Sequence, residues 1–279
     1  MPGGRTSSAL HALSLLADPA RRPFDASRMV AVFAHPDDET LALGAQLRRM
    51  HGLRIVIVTD GAPRSLVDAR SHGFEDAAGY AAARKRELAA ALAAGGADEL
   101  DLVHLDVPDQ GVAFALAPLA ERLRSLVEGA DVVLTHAYEG GHPDHDGVAF
   151  AVHEAVRMLG ESAPPEIVDI PFYRAGDHGE FLAQSFEPVP GAIPVQIVLS
   201  RDEITRKQRM LSAHATQRAT LSQFSLAAER FRKAPREAFD RLPNQGRLWY
   251  ERFDWGLGGQ AFLERAAEAR RVLRRENAA

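Results

Sequence analysis

Two short segments of this 279-residue chain concentrate groups that can hold a metal ion and move protons. Ala34–Thr40 reads AHPDDET and Gly141–Asp146 reads GHPDHD. His35 and Asp38 stand three apart in the first, His142 and His145 three apart in the second, and each pair encloses a proline that stiffens the turn. Imidazole nitrogen and carboxylate oxygen are donors that Zn²⁺ accepts, and a catalytic zinc keeps three protein ligands and one open position. The chain has no cysteine, so disulfides and thiolate sites are excluded and His, Asp and Glu must supply any ligands. Two donors from one segment and one from the other would leave a carboxylate to take a proton from water and an imidazole to serve a leaving group. Spacing alone leaves open which residue does which. Either segment by itself is an ordinary Pro–Asp turn; the pair, each following an apolar run, argues for a site.

The elements that must bring the two segments together are legible as β-type runs alternating with helical patterns. Met29–Ala34, Arg54–Thr59, Asp101–Leu105 and Asp131–Thr135 are short, rich in Val, Ile and Leu and not strictly alternating, as expected of strands buried on both faces. Thr40–His51, Ala77–Ala94 and Ala117–Glu128 are expected to be helices, the second stopping at Gly95-Gly96. Such alternation predicts an α/β, Rossmann-like three-layer fold with a mainly parallel central sheet. Beyond about Pro164 the pattern loosens. Strands are expected at Ile167–Tyr173 and Val195–Ser200, and a helix from a Ser200–Glu203 capping box to about Thr216. Phe224–Arg241 reads as partly helical, Leu248–Phe253 as a strand and Gly259–Glu276 as a terminal helix. The expectation is one domain over 1–279, with a core of about 27–160 and a smaller α+β addition over about 161–279 that shapes substrate binding. Gly61–Gly79 reads as the longest structureless stretch of the first half. Because ligands of parallel sheets bind beyond the carboxyl ends of the strands, the residues after each strand matter, and acidic and imidazole groups converge there. His136 falls at one such end.

The two segments resemble the signature motifs of the PIG-L/LmbE-like N-deacetylase family, which includes deacetylases of glycosylphosphatidylinositol, mycothiol and bacillithiol biosynthesis. Thr59-Asp60-Gly61, Arg84-x-x-Glu87, Leu105–Gly111 and Lys207…His214-x-Thr216-Gln217 are similar to further family features, so the likeness spans roughly Val30 to Gln217. Two positions depart from the pattern: Gly44-Ala45 stands where the family has a Gly-Gly pair, and no tyrosine adjoins GGHPDH, Tyr138 being the nearest. The resemblance implies zinc, or another divalent ion, held by His35, Asp38 and His145. It implies Asp37 as general base and His142 as the group that stabilises the oxyanion and protonates the leaving amine. On that reading Asp144 or Asp146 would hold the other nitrogen of His142 and raise its pKa. Glu39 is read as a first-turn carboxylate or a contact behind the ligands. Arg64 and Asp109, which follow the second and third strands, and His214 and Gln217 are candidate substrate contacts.

The implied reaction is hydrolysis of an N-acyl amide, acetyl above all, on an amino sugar or small glycoconjugate. A metal-dependent amidase for larger acyl groups, or a glycan-binding protein without turnover, are the alternatives. No GxGxxG turn follows the first strand, which argues against a dinucleotide enzyme. The formal charge of −5 and pI near 6.1 give no reason to expect a nucleic-acid partner. No run approaches the ~18 apolar residues of a membrane span, and Met1–Asp25 lacks the pattern of a signal peptide, so a cytoplasmic enzyme is expected. The partner expected is the small-molecule substrate; a homo-oligomer is compatible with the sequence and not specified by it.

Overall fold

The computed structural model describes residues 7–160, 164–236 and 239–276. Seven strands form one sheet. In chain order they are β1 (Met29–Phe33), β2 (Arg54–Thr59), β3 (Asp101–Val107), β4 (Val132–His136), β5 (Glu166–Ile170), β6 (Val195–Val198) and β7 (Ala228–Lys233). Their order across the sheet is β6-β7-β5-β4-β1-β2-β3. The five strands from β5 to β3 run parallel, while β7 is antiparallel to both β5 and β6.

β1 explains the layering. All five of its residues are buried, because alternate side chains enter two different cores. Ala31 and Phe33 face the helices α1 (Ser8–Leu16), α2 (Asp38–Leu43), α4 (Ala77–Gly95) and α7 (Arg201–Ala213), the last through Met210. Val30 and Val32 face α5 (Leu116–Val127), α6 (Pro143–Met158) and α9 (Gly259–Glu276). A mainly parallel sheet between two helical layers is therefore observed. Three of the strands after residue 164 extend this same sheet, while Tyr173–Ala175 and Phe181–Ala183 pair antiparallel in a separate two-stranded one.

Several sequence expectations change. The helix expected over Thr40–His51 stops at Leu43; Leu47–Arg49 forms a 3₁₀ turn, and Met50–His51 pairs with Phe24–Asp25. Phe224–Arg241 contains the strand β7 where helix was expected. Its sequence, AERFRK, is that of an exposed helix, but Glu229 and Arg232 are buried against Lys207 and Asp169, and this pairing overrides local propensity. Leu248–Phe253 holds a 3₁₀ turn at Tyr250–Arg252. The stretch Gly61–Gly79 carries a short helix, α3 (Val67–Ser71), and the first turn of α4. α7 opens with the expected capping box at Ser200 and Glu203 and ends at Ala213, one turn early. Helix α6, which opens inside GHPDHD, had no counterpart in the sequence reading. Among the described residues no helix is long and apolar enough to cross a membrane; residues 1–6 of the amino-terminal segment lie outside the described ones.

Candidate active site

Both motifs sit where a strand ends and a helix begins. β1 delivers His35 and Asp37, and Asp38 is the first residue of α2. β4 ends at His136; His142 caps α6, whose first turn carries Asp144, His145 and Asp146. β1 and β4 are adjacent and parallel, so two segments about a hundred residues apart in sequence meet over one sheet edge. Gly141 is needed for this approach, since a Cβ there would lie 2.0 Å from the backbone oxygen of Tyr173.

Three donor atoms form a small triangle. His35 Nδ1 lies 3.2 Å from His145 Nε2, and Asp38 Oδ2 lies 3.4 Å from the first and 3.5 Å from the second. A tetrahedral zinc with bonds of about 2.0–2.1 Å has donor-to-donor edges of about 3.3 Å, so the residues fit such an ion. The donor chemistry agrees: two imidazoles aim nitrogen at nitrogen, a contact that a cation or a shared proton must mediate. The surroundings are strongly anionic for a buried place, with Asp37, Asp38, Asp109 and Asp144 all less than a tenth exposed. Burial works against ionised Asp38, but His145 and His35 beside it hold its carboxyl well below the usual range.

The ligand candidates are oriented from behind. His35 Nε2 faces Asp144 Oδ2 at 3.3 Å and Asp109 Oδ1 at 3.4 Å. Asp144 in turn accepts N–H bonds from Gln110 and Val112. His136 stacks on the His145 ring at 4.1 Å and accepts the N–H of Ala34 through Nε2.

Asp37 is strained and buried. Its φ of 145° is unfavourable for a residue with a Cβ, and its N–H is held by Glu39 Oε2 at 3.0 Å. Burial pushes the Asp37 carboxyl up to about 7, against the opposing charge of Arg84. Arg84 donates to Asp37 Oδ2 (3.0 Å), Pro36 O (2.8 Å) and Gly61 O (2.7 Å). The sequence marks Arg84 only as part of a family-like Arg84-x-x-Glu87, because it lies 47 residues from Asp37 along the chain. Burial also raises Glu39 to about 8, and its side chain accepts from Thr40 Oγ1.

The expected arrangement around His142 is corrected. Asp144 faces His35, and Asp146 Oδ1 accepts from the N–H groups of Glu139 and Gly140. His142 Nδ1 instead accepts the N–H of Asp144 at 3.1 Å. Burial, followed by His35 and His145, holds the His142 pKa well below its ordinary value rather than above it. With Nδ1 accepting that N–H, the ring carries its proton on Nε2.

A cavity of about 170 Å³ opens over the triangle, lined among others by Asp109, His142, Phe172, Tyr173, Gln217 and Trp255. Asp109 and Gln217 thus reach the cavity, Gln217 also donating to the Tyr80 hydroxyl at 2.7 Å. Arg64 does not line it; the guanidinium is bound to Asp60 in its own loop. His214 is fully buried behind Thr40, 3.4 Å from Oγ1, and burial lowers its pKa to about 3. Tyr138 donates its hydroxyl to Arg241 O, and Tyr173 is the tyrosine on the cavity wall. Neither Tyr173 nor Trp255 had a sequence signal as a site residue.

Residues 30–156 match the family model described as GlcNAc-PI de-N-acetylase, PIG-L. The 1D-myo-inositol 2-acetamido-2-deoxy-alpha-D-glucopyranoside deacetylase of Corynebacterium jeikeium is 28% identical to this chain, over 68% of it and 76% of that protein. Among solved structures, a deacetylase of the teicoplanin biosynthesis pathway superposes with a TM-score of 0.57 at 16% identity, covering 75% of this chain and 99% of the other. The N,N'-diacetylchitobiose deacetylase from Pyrococcus horikoshii gives 0.51 at 17% identity, over 81% and 90%. These structural likenesses establish a shared fold. The matched segment contains both motifs and every residue of the donor triangle, and in it this chain is similar to the PIG-L family.

Proposed function

We propose that this protein hydrolyses an N-acyl amide, acetyl in the first instance, on an amino sugar or small glycoconjugate. The observation that carries the reading is the donor triangle of His35, Asp38 and His145 with buried Asp37 beside it. The relatives just described are deacetylases by name, which supports the same class of reaction here.

His35, Asp38 and His145 would hold a divalent cation, zinc or another. Such an ion supplies Lewis acidity, making a water nucleophilic near neutral pH and polarising the acyl oxygen. Asp37 takes the proton of the attacking water. His142 offers Nε2–H to the oxygen that becomes negative as the carbonyl carbon turns tetrahedral. The leaving nitrogen then receives its proton from Asp37, because His142 is neutral and giving up its one proton would leave an imidazolate. The C–N bond breaks, and the second proton of the former water passes from the new carboxylic acid to the amine, so that carboxylate and ammonium are released. Arg84 is a positioning residue that keeps Asp37 in place and ionised.

Chelator-stripped protein titrated with Zn²⁺ and other divalent ions, with acetate release from N-acetylglucosamine and N,N'-diacetylchitobiose as readout, tests the reading. Activity should return at about one equivalent, the stoichiometry of one three-donor site. One solved teicoplanin deacetylase is described as a zinc inhibited form, so the titration extends beyond equivalence. Full turnover by stripped protein, or no release from any N-acyl sugar by loaded protein, would sink the proposal.

Arg84 gives a pH prediction. Asp37 must be ionised to act as a base, so the rate falls as pH drops through its pKa. The Arg84 charge lowers that pKa. Arg84→Gln should therefore move the acid limb of kcat/KM upward by about 1 on the pH scale. A limb that stays where it was shows that another group controls it.

A further inference from the structure

The cavity over the donor triangle has one wall that the family match does not cover. Trp255 lines it, with its ring centroid 4.7 Å from that of His142. Phe253 lies on the Trp255 ring, 4.6 Å away and only 14° from parallel, and is 43% exposed. Leu221, Phe224 and Tyr173 add further apolar surface, while Gln110 and Gln217 supply amide groups. Flat aromatic faces beside hydrogen-bonding rims match a pyranose, which presents C–H bonds on its faces and hydroxyls around its edge.

Charge narrows the class further. Asp37, Asp38, Asp68 and Asp109 all line the cavity. The one arginine among the lining residues is Arg84, whose guanidinium already serves Asp37, Pro36 and Gly61. Among the described residues lining the cavity no lysine or further arginine is left to grip a phosphate or carboxylate, and the carboxylates outside the donor triangle repel one. They accommodate the ammonium that deacylation leaves behind.

We infer that Trp255, backed by Phe253, forms a subsite that stacks an uncharged sugar ring of the substrate next to His142, and that the acidic lining excludes phosphorylated sugars. This rests on the reading of the site as N-deacylating, but its test is a binding measurement. The chain has two tryptophans, so Trp249→Phe leaves Trp255 as the sole indole. In that background, metal-loaded protein is titrated with N-acetylglucosamine, N,N'-diacetylchitobiose and N-acetylglucosamine 1-phosphate while indole fluorescence is followed.

The neutral sugars should change the emission saturably, with the phosphate bound at least about 10-fold more weakly. In the otherwise native protein, Trp255→Ala should raise Kd and KM for the neutral sugars about 10-fold. Trp255→Phe, which keeps a flat ring, should stay within about 3-fold of the parent. Unchanged emission, or an unchanged Kd in Trp255→Ala, overturns the subsite even if acetate is released normally. Equal binding of the phosphate overturns the charge argument. Saturable sugar binding through Trp255 without acetate release would uphold the subsite and fail the deacylation reading alone.

Discussion

Asp37→Ala should abolish nearly all turnover, by about 10²–10⁴ in kcat, while the protein still binds about one equivalent of metal. His145→Ala should lose metal as well as activity. The contrast follows from geometry. Asp37 stands outside the triangle, with Oδ2 on Arg84, whereas His145 Nε2 is one of its corners, 3.2 Å from His35 Nδ1. Removing a corner leaves two donors, and an ion held by two side chains exchanges readily with water. Removing Asp37 leaves all three donors and takes away the proton carrier. Alanine also leaves the Arg84 guanidinium without its carboxylate, so Asp37→Asn, which keeps an acceptor oxygen, should accompany it and lose turnover equally. Metal analysis and acetate release on purified variants decide the matter. Equal metal content in Asp37→Ala and His145→Ala, with activity undiminished in both, would overturn the assignment of both roles.

The second large effect concerns stability and lies outside the cavity. Lys207 and Glu229 are both buried, with Nζ 2.7 Å from Oε1. Lys207 also donates to Leu41 O, and Glu229 accepts from Ala45 N–H and Gln46 Nε2. The network ties α7 and β7 to the end of α2, the short helix that begins with Asp38. Lys207→Met keeps the apolar stem and removes the charge, leaving Glu229 buried with neutral partners only. Breaking one side of a buried pair costs about 3–5 kcal/mol, which for a chain of this size lowers Tm by roughly 10 °C. Because the pair as a whole contributes little relative to apolar residues, Lys207→Met combined with Glu229→Gln should recover part of the loss. Thermal and urea unfolding measure both. A loss below about 1 kcal/mol in the single variant would mean that water or a local shift already compensates Glu229.

His35, Asp37, Asp38, His142 and His145 were visible before any coordinates because their chemistry is local: histidines and carboxylates three residues apart, each group directly after an apolar run. The parallel arrangement of β1 to β4 was equally legible, since β1, β2 and β4 are buried on both faces and have a composition that exposed segments lack, whereas the edge strand β3 is mostly half-buried. Two features were hidden by long-range pairing. β7 carries helix-forming residues and becomes a strand because β5 and β6 offer it partners, with Asp169 and Lys207 meeting its charges. The role of Arg84 depends on α4 laying its side chain across Pro36, Asp37 and Gly61, contacts that no spacing along the chain encodes.

The chain alone also misplaced the carboxylates near His142. Sequence proximity suggested that Asp144 or Asp146 would serve that ring, yet the first turn of α6 points them at His35 and at the Glu139–Gly140 backbone. Trp255 is the furthest case, an aromatic in the segment between β7 and α9 that lines the cavity without any motif around it to mark it. Residue types and spacing therefore determined which chemistry is available. Which proton moves where, and what the cavity admits, were decided by the folding of distant segments over one end of the sheet, because hydrogen-bond direction and burial are properties of three-dimensional neighbours.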